Sequence, residues 1–117
     1  MANPRKTVLL AEDDALVALD LKGHFIEHGY AVLGPFAKSA AAAEAIGRHK
    51  PDIAIIDFHL QDGTAEGLAA ALEKAAVPYA IVTVASQDKL PKSVSPIGFF
   101  EKPFDIVQLS DLVSDAP

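Results

Sequence analysis

The sequence predicts an α/β fold, a doubly wound sheet of five parallel strands with helices on both faces. Short apolar runs alternate along the chain with stretches of helical periodicity, and this order favours parallel strands joined by crossover helices. Three runs, at residues 7–11, 52–56 and 80–85, are almost continuously apolar, which is typical of strands covered on both faces. Because 117 residues suit one core, we assign residues 1–117 to a single domain with its core at about residues 6–114.

The remaining elements follow from helical periodicity and turn residues. Val17, Ala18, Leu21 and Phe25 share one helical face, and Gly29 stands where a C-terminal cap belongs. The segment at residues 86–96 contains two prolines and little apolar periodicity, so we expect a loop or a frayed turn there. Weaker strands are predicted at residues 31–34 and 97–100, and further helices at residues 39–49, 64–76 and 105–113.

Composition excludes several classes of protein. The formal net charge of −6 argues against nucleic acid as a partner, since such binders rely on clustered Lys and Arg. The absence of cysteine excludes disulfides and thiolate chemistry. No apolar run is long enough for a membrane span, so we expect a cytoplasmic protein. No glycine-rich phosphate loop occurs, which argues against a dinucleotide site or a P-loop site.

Polar residues follow the ends of the predicted strands. Glu12 and Asp13 follow the first strand, Asp57 the third and Lys102 the fifth, while Thr83 lies near the end of the fourth. The carboxyl ends of parallel strands meet at one edge of a sheet, where ligands bind in this architecture. Three carboxylates brought together repel one another unless their pKa values rise or a hard cation binds. Ligands that are all oxygen favour Mg²⁺.

This set of residue types suits phosphoryl transfer. A carboxylate held against Mg²⁺ can attack phosphorus, with Lys102 neutralising one phosphoryl oxygen and the Thr83 hydroxyl donating to another. Taken singly, each residue also has an ordinary structural interpretation. Glu12, Asp13 and Asp14 can cap the first helix, and Asp57 can begin a turn. The combination is what points to chemistry.

The chain resembles the receiver (response regulator) family of two-component systems. The segments that carry the resemblance are residues 8–14, residues 52–57, Asp62-Gly63, Thr83 and Glu101-Lys102-Pro103-Phe104. The resemblance implies a flavodoxin-like sheet with strand order 2-1-3-4-5. It also implies that the protein is not a conventional enzyme but catalyses its own Mg²⁺-dependent phosphorylation and dephosphorylation.

The family's site residues carry over to matching positions. The resemblance implies Asp57 as acceptor of the phosphoryl group, and Thr83 and Lys102 as the residues that bind that group. It implies Mg²⁺ held by Asp13, Asp57 and the backbone carbonyl of His59, with Glu12 reaching the ion through water. The implied phosphodonor is a histidine kinase or a histidine phosphotransfer protein, and the downstream protein target is not indicated.

Several positions depart from the family pattern. Gln61 stands where a proline is common, and Val84 replaces the usual small residue after the hydroxyl residue, so both can alter access to Asp57. Phe99 occupies the place of the switch aromatic, paired with Thr83 in that role. The segment at residues 86–96 is unsuited to the family's fourth helix, which we expect to be shortened or replaced by a loop. In this it is similar to single-domain alphaproteobacterial receivers whose partners are HWE-type kinases.

Two alternatives to a phosphorylation-dependent switch remain open. The chain could keep the fold but act as an interaction module or a phosphate sink. It could also be a zinc enzyme, because His24, Glu27 and His28 match the inverted zinc-protease motif H-x-x-E-H. We favour a structural interpretation of the motif, since both histidines fall near the end of a helix, where positive charge suits the helix dipole.

Overall fold

Five parallel strands form the central sheet in the computed structural model, which describes residues 5–116. In chain order the strands are β1 (Thr7–Ala11), β2 (Ala31–Phe36), β3 (Ile53–Asp57), β4 (His59–Leu60), β5 (Gly63–Thr64), β6 (Tyr79–Thr83) and β7 (Gly98–Glu101). The sheet order is β2-β1-β3-β6-β7, while β4 and β5 pair only with each other as a short antiparallel hairpin. Counted over the five sheet strands this is 2-1-3-4-5, so the predicted fold class is confirmed.

Helices cover both faces of the sheet. They are α1 (Ala15–Glu27), α2 (Ser39–Arg48), α3 (Glu66–Lys74) and α4 (Ile106–Asp115). Alternate strand residues enter two separate cores: on β1, Val8 and Leu10 pack with α1 and α4, whereas Leu9 and Ala11 pack with α2 and α3. Burying one such leucine contributes about 2 kcal/mol. Because both faces are buried, the strands read as continuous apolar runs rather than as alternating patterns.

Gly34 allows the end of β2 to pass close to β1. Its φ is +100°, and a Cβ atom at this position would lie only 2.6 Å from the carbonyl oxygen of Leu10. The register between the two strands shifts here, so that Ala11 pairs with Phe36. The Phe36 carbonyl then accepts the N–H of Glu12 at 2.9 Å. The turn after β1 is therefore held by the edge strand β2, whose close approach to β1 is possible only with glycine at position 34.

The observed boundaries differ from the predicted ones where long-range pairing decides them. β2 runs on to Phe36 instead of ending at Gly34, because its last residues follow the shifted register. The third helix begins at Glu66, since Gly63–Thr64 is taken up by the hairpin. Among residues 84–97 the chain forms one 3₁₀ turn, Gln87–Lys89, between β6 and β7.

Asp62 caps a helix that lies far away in the sequence. The residue before α2 is Lys38, which offers no capping oxygen. Instead the Asp62 carboxylate, in the turn of the hairpin, accepts the N–H groups of Ser39 at 2.7 Å and Ala40 at 3.0 Å. These hydrogen bonds hold the pKa of Asp62 below its usual range. The chain just after Asp57 is thereby fixed to the start of α2.

We predict that Asp62→Asn lowers the melting temperature at neutral pH, because an amide is a weaker acceptor for two N–H groups at a helix N-terminus. Because the pKa of Asp62 is lower in the folded protein than in the unfolded chain, the cap stabilises the fold fully above pH 3.8, the pKa of the unfolded chain. This stabilisation is lost as the pH falls through the lower pKa of the folded protein. The difference between the two proteins should therefore narrow in acid, as measured by thermal unfolding from pH 7 downward. Asp20→Asn on α1 is the control, and equal losses in both variants would contradict the cap.

Candidate functional site

The carboxyl ends of four sheet strands bring the predicted polar residues to one edge. Asp57 is the last residue of β3, and Thr83 is the last residue of β6, the neighbouring strand. Glu12 follows β1 on the other side of β3, and Lys102 follows the edge strand β7. The predicted convergence is therefore observed for these residues.

Three carboxylates lie together at this edge. One oxygen from each of Glu12, Asp13 and Asp57 can be chosen so that all three lie within 4.8 Å of one another. Glu12 and Asp57 are 3% and 5% exposed, whereas Asp13 is open to solvent. Within residues 5–116 this is the one group of three or more His, Cys, Asp or Glu side chains with such geometry.

Lys102 joins the two buried carboxylates. Its ammonium nitrogen Nζ lies 2.8 Å from Asp57 Oδ2 and 2.6 Å from Glu12 Oε1. Burial by itself would lower the pKa of Lys102, but the hydrogen bond to Asp57 and the ion pair with Glu12 outweigh it and the pKa is raised. The lysine therefore stays charged and partly offsets the repulsion between the carboxylates.

Glu12 shows that one lysine does not balance the cluster. Burial, and next the neighbouring Asp57, raise the pKa of Glu12 to about 7. Its Oε2 accepts the N–H of Asp14 at 3.2 Å. Its buried Oε1 is in ion-pair contact with Lys102, but within the described chain it receives no hydrogen bond of suitable direction.

The residues present fit a hard divalent cation. The donor set consists of carboxylate oxygens, one oxygen is buried without a directed hydrogen bond, and the cluster carries more negative charge than Lys102 neutralises. Such oxygens suit Mg²⁺, and a bound cation would favour the ionised form of Glu12.

Thr83 and His59 flank Asp57. The N–H of His59 donates to Asp57 Oδ1 at 3.1 Å, so both oxygens of this carboxylate have partners. Thr83 is fully buried, and its hydroxyl oxygen accepts the N–H of Ala85 at 3.3 Å and lies 3.5 Å from His59 Nδ1. The hydrogen bond from the His59 N–H was not predicted from the sequence, because it depends on the turn that leads from β3 into the hairpin.

Known proteins share this architecture and sequence pattern. No family model matches the chain. The transcriptional regulatory protein PdtaR of Mycobacterium tuberculosis is 36% identical over 118 aligned positions, and the alignment covers 96% of this chain and 55% of PdtaR. The signal receiver domain of a modulated diguanylate cyclase from Desulfovibrio desulfuricans G20 is 27% identical with a TM-score of 0.86, covering 97% of this chain and 94% of that one.

A second solved structure agrees. The signal receiver domain of a putative Luxo repressor protein from Vibrio parahaemolyticus is 26% identical with a TM-score of 0.82, covering 95% and 88% of the two chains. This chain has the fold and the sequence pattern of a receiver domain of response regulators. The receiver spans about half the length of the curated relatives that it matches.

Phe99, the predicted switch aromatic, is not paired with Thr83 in the ladder between β6 and β7. It stands on β7 opposite Ile81 and packs, partly buried, against the core beneath α2 and α3. Thr83 pairs with Glu101 further along the same ladder. Coupled movement of Thr83 and the Phe99 ring therefore stays a prediction.

The structure does not favour a zinc site at His24 and His28. The rings are stacked with centroids 4.1 Å apart and planes 23° apart, so their in-plane lone pairs do not converge on one point. His24 lies in the last turn of α1 and His28 caps its end, with His28 Nδ1 2.7 Å from the His24 carbonyl oxygen. Within residues 5–116 no third ligand joins them in a metal-binding cluster.

A groove of about 880 Å³ opens beside the acidic edge. Its apolar walls come from α1 and from the start of α4, and acidic side chains border it. Residues that line the groove include Asp14, Val17, Leu19, Asp20, Glu27, Val84, Lys102 and Phe104. Because Lys102 belongs to both the groove and the cluster, a molecule lying in the groove reaches the site.

We predict that the metal-free receiver loses stability as the pH rises from about 4.5 to about 7. In this range the folded protein holds a proton on Glu12 that the unfolded chain has released, so the free energy of unfolding falls with pH. Glu12→Gln should remove this slope and be the more stable protein at pH 8. Urea unfolding in EDTA at several pH values measures the effect.

Added Mg²⁺ should stabilise the wild type more at pH 8 than at pH 6, and should stabilise Glu12→Gln less. Glu44→Gln, on the surface of α2, serves as the control. A wild-type slope that persists in Glu12→Gln would show that another group is responsible.

Proposed function

We propose that this receiver accepts a phosphoryl group on Asp57 from a phosphohistidine and changes its partner binding as a result. The observation that supports this most directly is the position of the Asp57 carboxylate, buried at the end of a central strand between two acids and a lysine. Receiver domains are partnered with histidine kinases. A histidine kinase, or a histidine phosphotransfer protein, is therefore the donor in this proposal.

The transfer exchanges one bond to phosphorus for another. An oxygen of Asp57 attacks the phosphorus atom, a P–O bond forms, and the P–N bond of the donor breaks. The donor imidazole leaves with the electron pair of that bond and takes up a proton from water. Asp57 becomes an acyl phosphate, and water later hydrolyses it to restore the carboxylate.

The chain's own residues supply positioning and charge. The His59 N–H and Lys102 fix the two Asp57 oxygens in separate directions, which orients the carboxylate before attack. Lys102 can neutralise the charge that develops on one phosphoryl oxygen, and the Thr83 hydroxyl can donate a hydrogen bond to another.

A divalent cation would complete the charge balance. Asp13, Asp57 and the carbonyl of His59 would hold Mg²⁺, with Glu12 reaching it through water. When bound, the ion would neutralise negative charge on the phosphoryl oxygens.

The groove along α1 suits the approach of the donor. Its apolar walls include Val17, Leu19 and Phe104, and its border carries Asp14, Asp20 and Glu27. An amphipathic helix with basic side chains would match both the apolar walls and the charge. A kinase of the HWE type remains a sequence-based prediction for the donor. The negative charge speaks against nucleic acid as a direct partner of this receiver.

Among residues 5–116, none of the helices has both the length and the hydropathy that crossing a bilayer requires. A cytoplasmic location remains part of the proposal.

We predict that the receiver gains one phosphoryl group from acetyl phosphate when Mg²⁺ is present, and that Asp57→Asn gains none. The amide cannot form an acyl phosphate, although it keeps the shape of the side chain. Intact mass of both proteins, with Mg²⁺ and with EDTA, measures the uptake.

Asp52→Asn is the matched control, because this aspartate lies at the opposite end of β3 and accepts the N–H of Thr7. It should be phosphorylated like the wild type. Phosphate retained by Asp57→Asn would overturn the site assignment. No uptake by any protein would favour an interaction module instead.

We predict that Lys102→Ala destabilises the metal-free receiver at pH 8 by about 1–3 kcal/mol, since it leaves two buried carboxylates without their shared partner. Mg²⁺ should restore part of this loss. The variant should still take up phosphate, but should respond to it with a smaller conformational change.

Urea unfolding with and without Mg²⁺ measures the loss of stability, and chemical-shift changes on phosphorylation measure the conformational change. Lys50→Ala, an exposed lysine before β3, should match the wild type in both. Full switching in Lys102→Ala would remove Lys102 from the proposed mechanism.

A further inference from the structure

Tyr79 joins three segments of the chain through its hydroxyl group. Its side chain is 1% exposed and belongs to the core beneath α2 and α3. The hydroxyl donates a short hydrogen bond to Glu73 Oε2, near the end of α3. The same hydroxyl accepts the N–H of Ser95 at 2.8 Å, and this N–H lies 3.1 Å from Glu73 Oε2. Helix α3, strand β6 and the segment before β7 thus meet at one phenol oxygen.

The backbone of Tyr79 holds the same part of the chain. Its carbonyl accepts the N–H of Ile97 at 2.8 Å. Leu90 and Val94 pack, partly buried, against the core cluster that contains Tyr79. Residues 90–97 are therefore fixed to the sheet by hydrogen bonds and by packing.

Residues 84–89 are held much less firmly. The N–H of Ala85 donates to the Thr83 hydroxyl at 3.3 Å, and the N–H of Lys89 donates to the Ser86 carbonyl at 3.0 Å. Within the described chain, the hydrogen bonds of these six residues all reach partners no more than three positions away. Val84 is 76% exposed. Segments with few buried contacts and local hydrogen bonds open most readily.

The phenol keeps its donor role at physiological pH. Burial, followed by the hydrogen bond to Glu73, raises the pKa of Tyr79 to about 12. Since the mechanism at Asp57 does not use Tyr79, this buried hydroxyl needs another role.

We propose that Tyr79, Glu73 and the Ser95 N–H form a latch that divides the segment between β6 and β7 into two parts. Residues 90–97 are the fixed part, and residues 84–89 are the switching part. The switching part begins beside Thr83, so a change at the Thr83 hydroxyl reaches residues 84–89 and stops at the latch. The existence of the latch is independent of phosphorylation, whereas its effect on switching rests on the proposed function.

The first test compares amide hydrogen exchange in Tyr79→Phe and the wild type, both unphosphorylated. The phenylalanine keeps the buried ring and removes the nearer of the two acceptors of the Ser95 N–H, leaving only Glu73 Oε2. We expect the Ser95 amide to exchange roughly fivefold to tenfold faster, as the loss of one hydrogen bond implies. Exchange at Ser95 equal to that of the wild type would overturn the latch.

Tyr30→Phe is the matched control, because the chain's other tyrosine packs its ring edgewise on Phe25 and lies outside the latch. It loses a hydroxyl but should leave Ser95 unchanged. Glu73→Ala, paired with Glu66→Ala on the same helix, tests the latch from the other partner. Faster Ser95 exchange is expected in Glu73→Ala alone, and equal behaviour of the two would count against the latch.

The second test adds Mg²⁺ and acetyl phosphate. In the wild type, phosphorylation should change exchange in residues 84–89 and leave Ser95 and Ile97 as they were. In Tyr79→Phe the change should spread into residues 90–97. If phosphorylation of the wild type changed amide exchange as much at Ser95 as at Ala85, the proposal that the latch confines the change to residues 84–89 would be wrong. If mass shows no phosphate uptake, the proposed function fails, while the unphosphorylated comparison still decides whether the latch exists.

Discussion

A single ammonium group between two buried carboxylates holds the functional edge of this sheet together. Lys102 follows the edge strand β7 and reaches past the end of β6 to Asp57 on β3 and Glu12 after β1. Two carboxylates out of contact with water repel each other strongly, because little solvent screens them. The lysine makes their burial tolerable, and its contacts tie together the ends of strands that come from distant parts of the chain.

The balance at this edge is incomplete. One positive charge faces three carboxylates, and burial, together with the neighbouring Asp57, raises the pKa of Glu12. A site with surplus negative charge and a buried oxygen without a directed hydrogen bond is prepared for a cation. In the proposed reaction it must also admit a phosphoryl group, which brings further negative charge. The acids and the lysine are therefore understood best as one set, because each contributes to the same local balance of charge.

The sequence carried enough information for the sheet and for the convergence of the acidic residues. The bounds of β1 were predicted correctly, since a strand buried on both faces leaves a continuous apolar run. The proximity of Asp57 and Lys102 could be predicted from the sequence, because the carboxyl ends of parallel strands lie at a common edge of the sheet. The cap that Asp62 provides to α2 could not be predicted, as the two are joined only by the folded hairpin. The contact of Tyr79 with Ser95 has the same character, because nothing local to either residue signals it. The motif at His24 and His28 is the opposite case, a local signal that no third ligand accompanies within residues 5–116, in agreement with the structural interpretation that we favoured.

The cap at α2 bears on how the chain acquires its structure during synthesis. Helix α2 ends at Arg48, but the carboxylate that caps its N-terminus is 23 positions beyond Ser39. A ribosome that has released only the residues of α2 has produced a helix with uncapped N–H groups and few large apolar side chains. Short helices of this kind are marginal in water on their own. The cap therefore forms only when the turn after Asp57 has emerged, and we expect this turn and helix α2 to fold together.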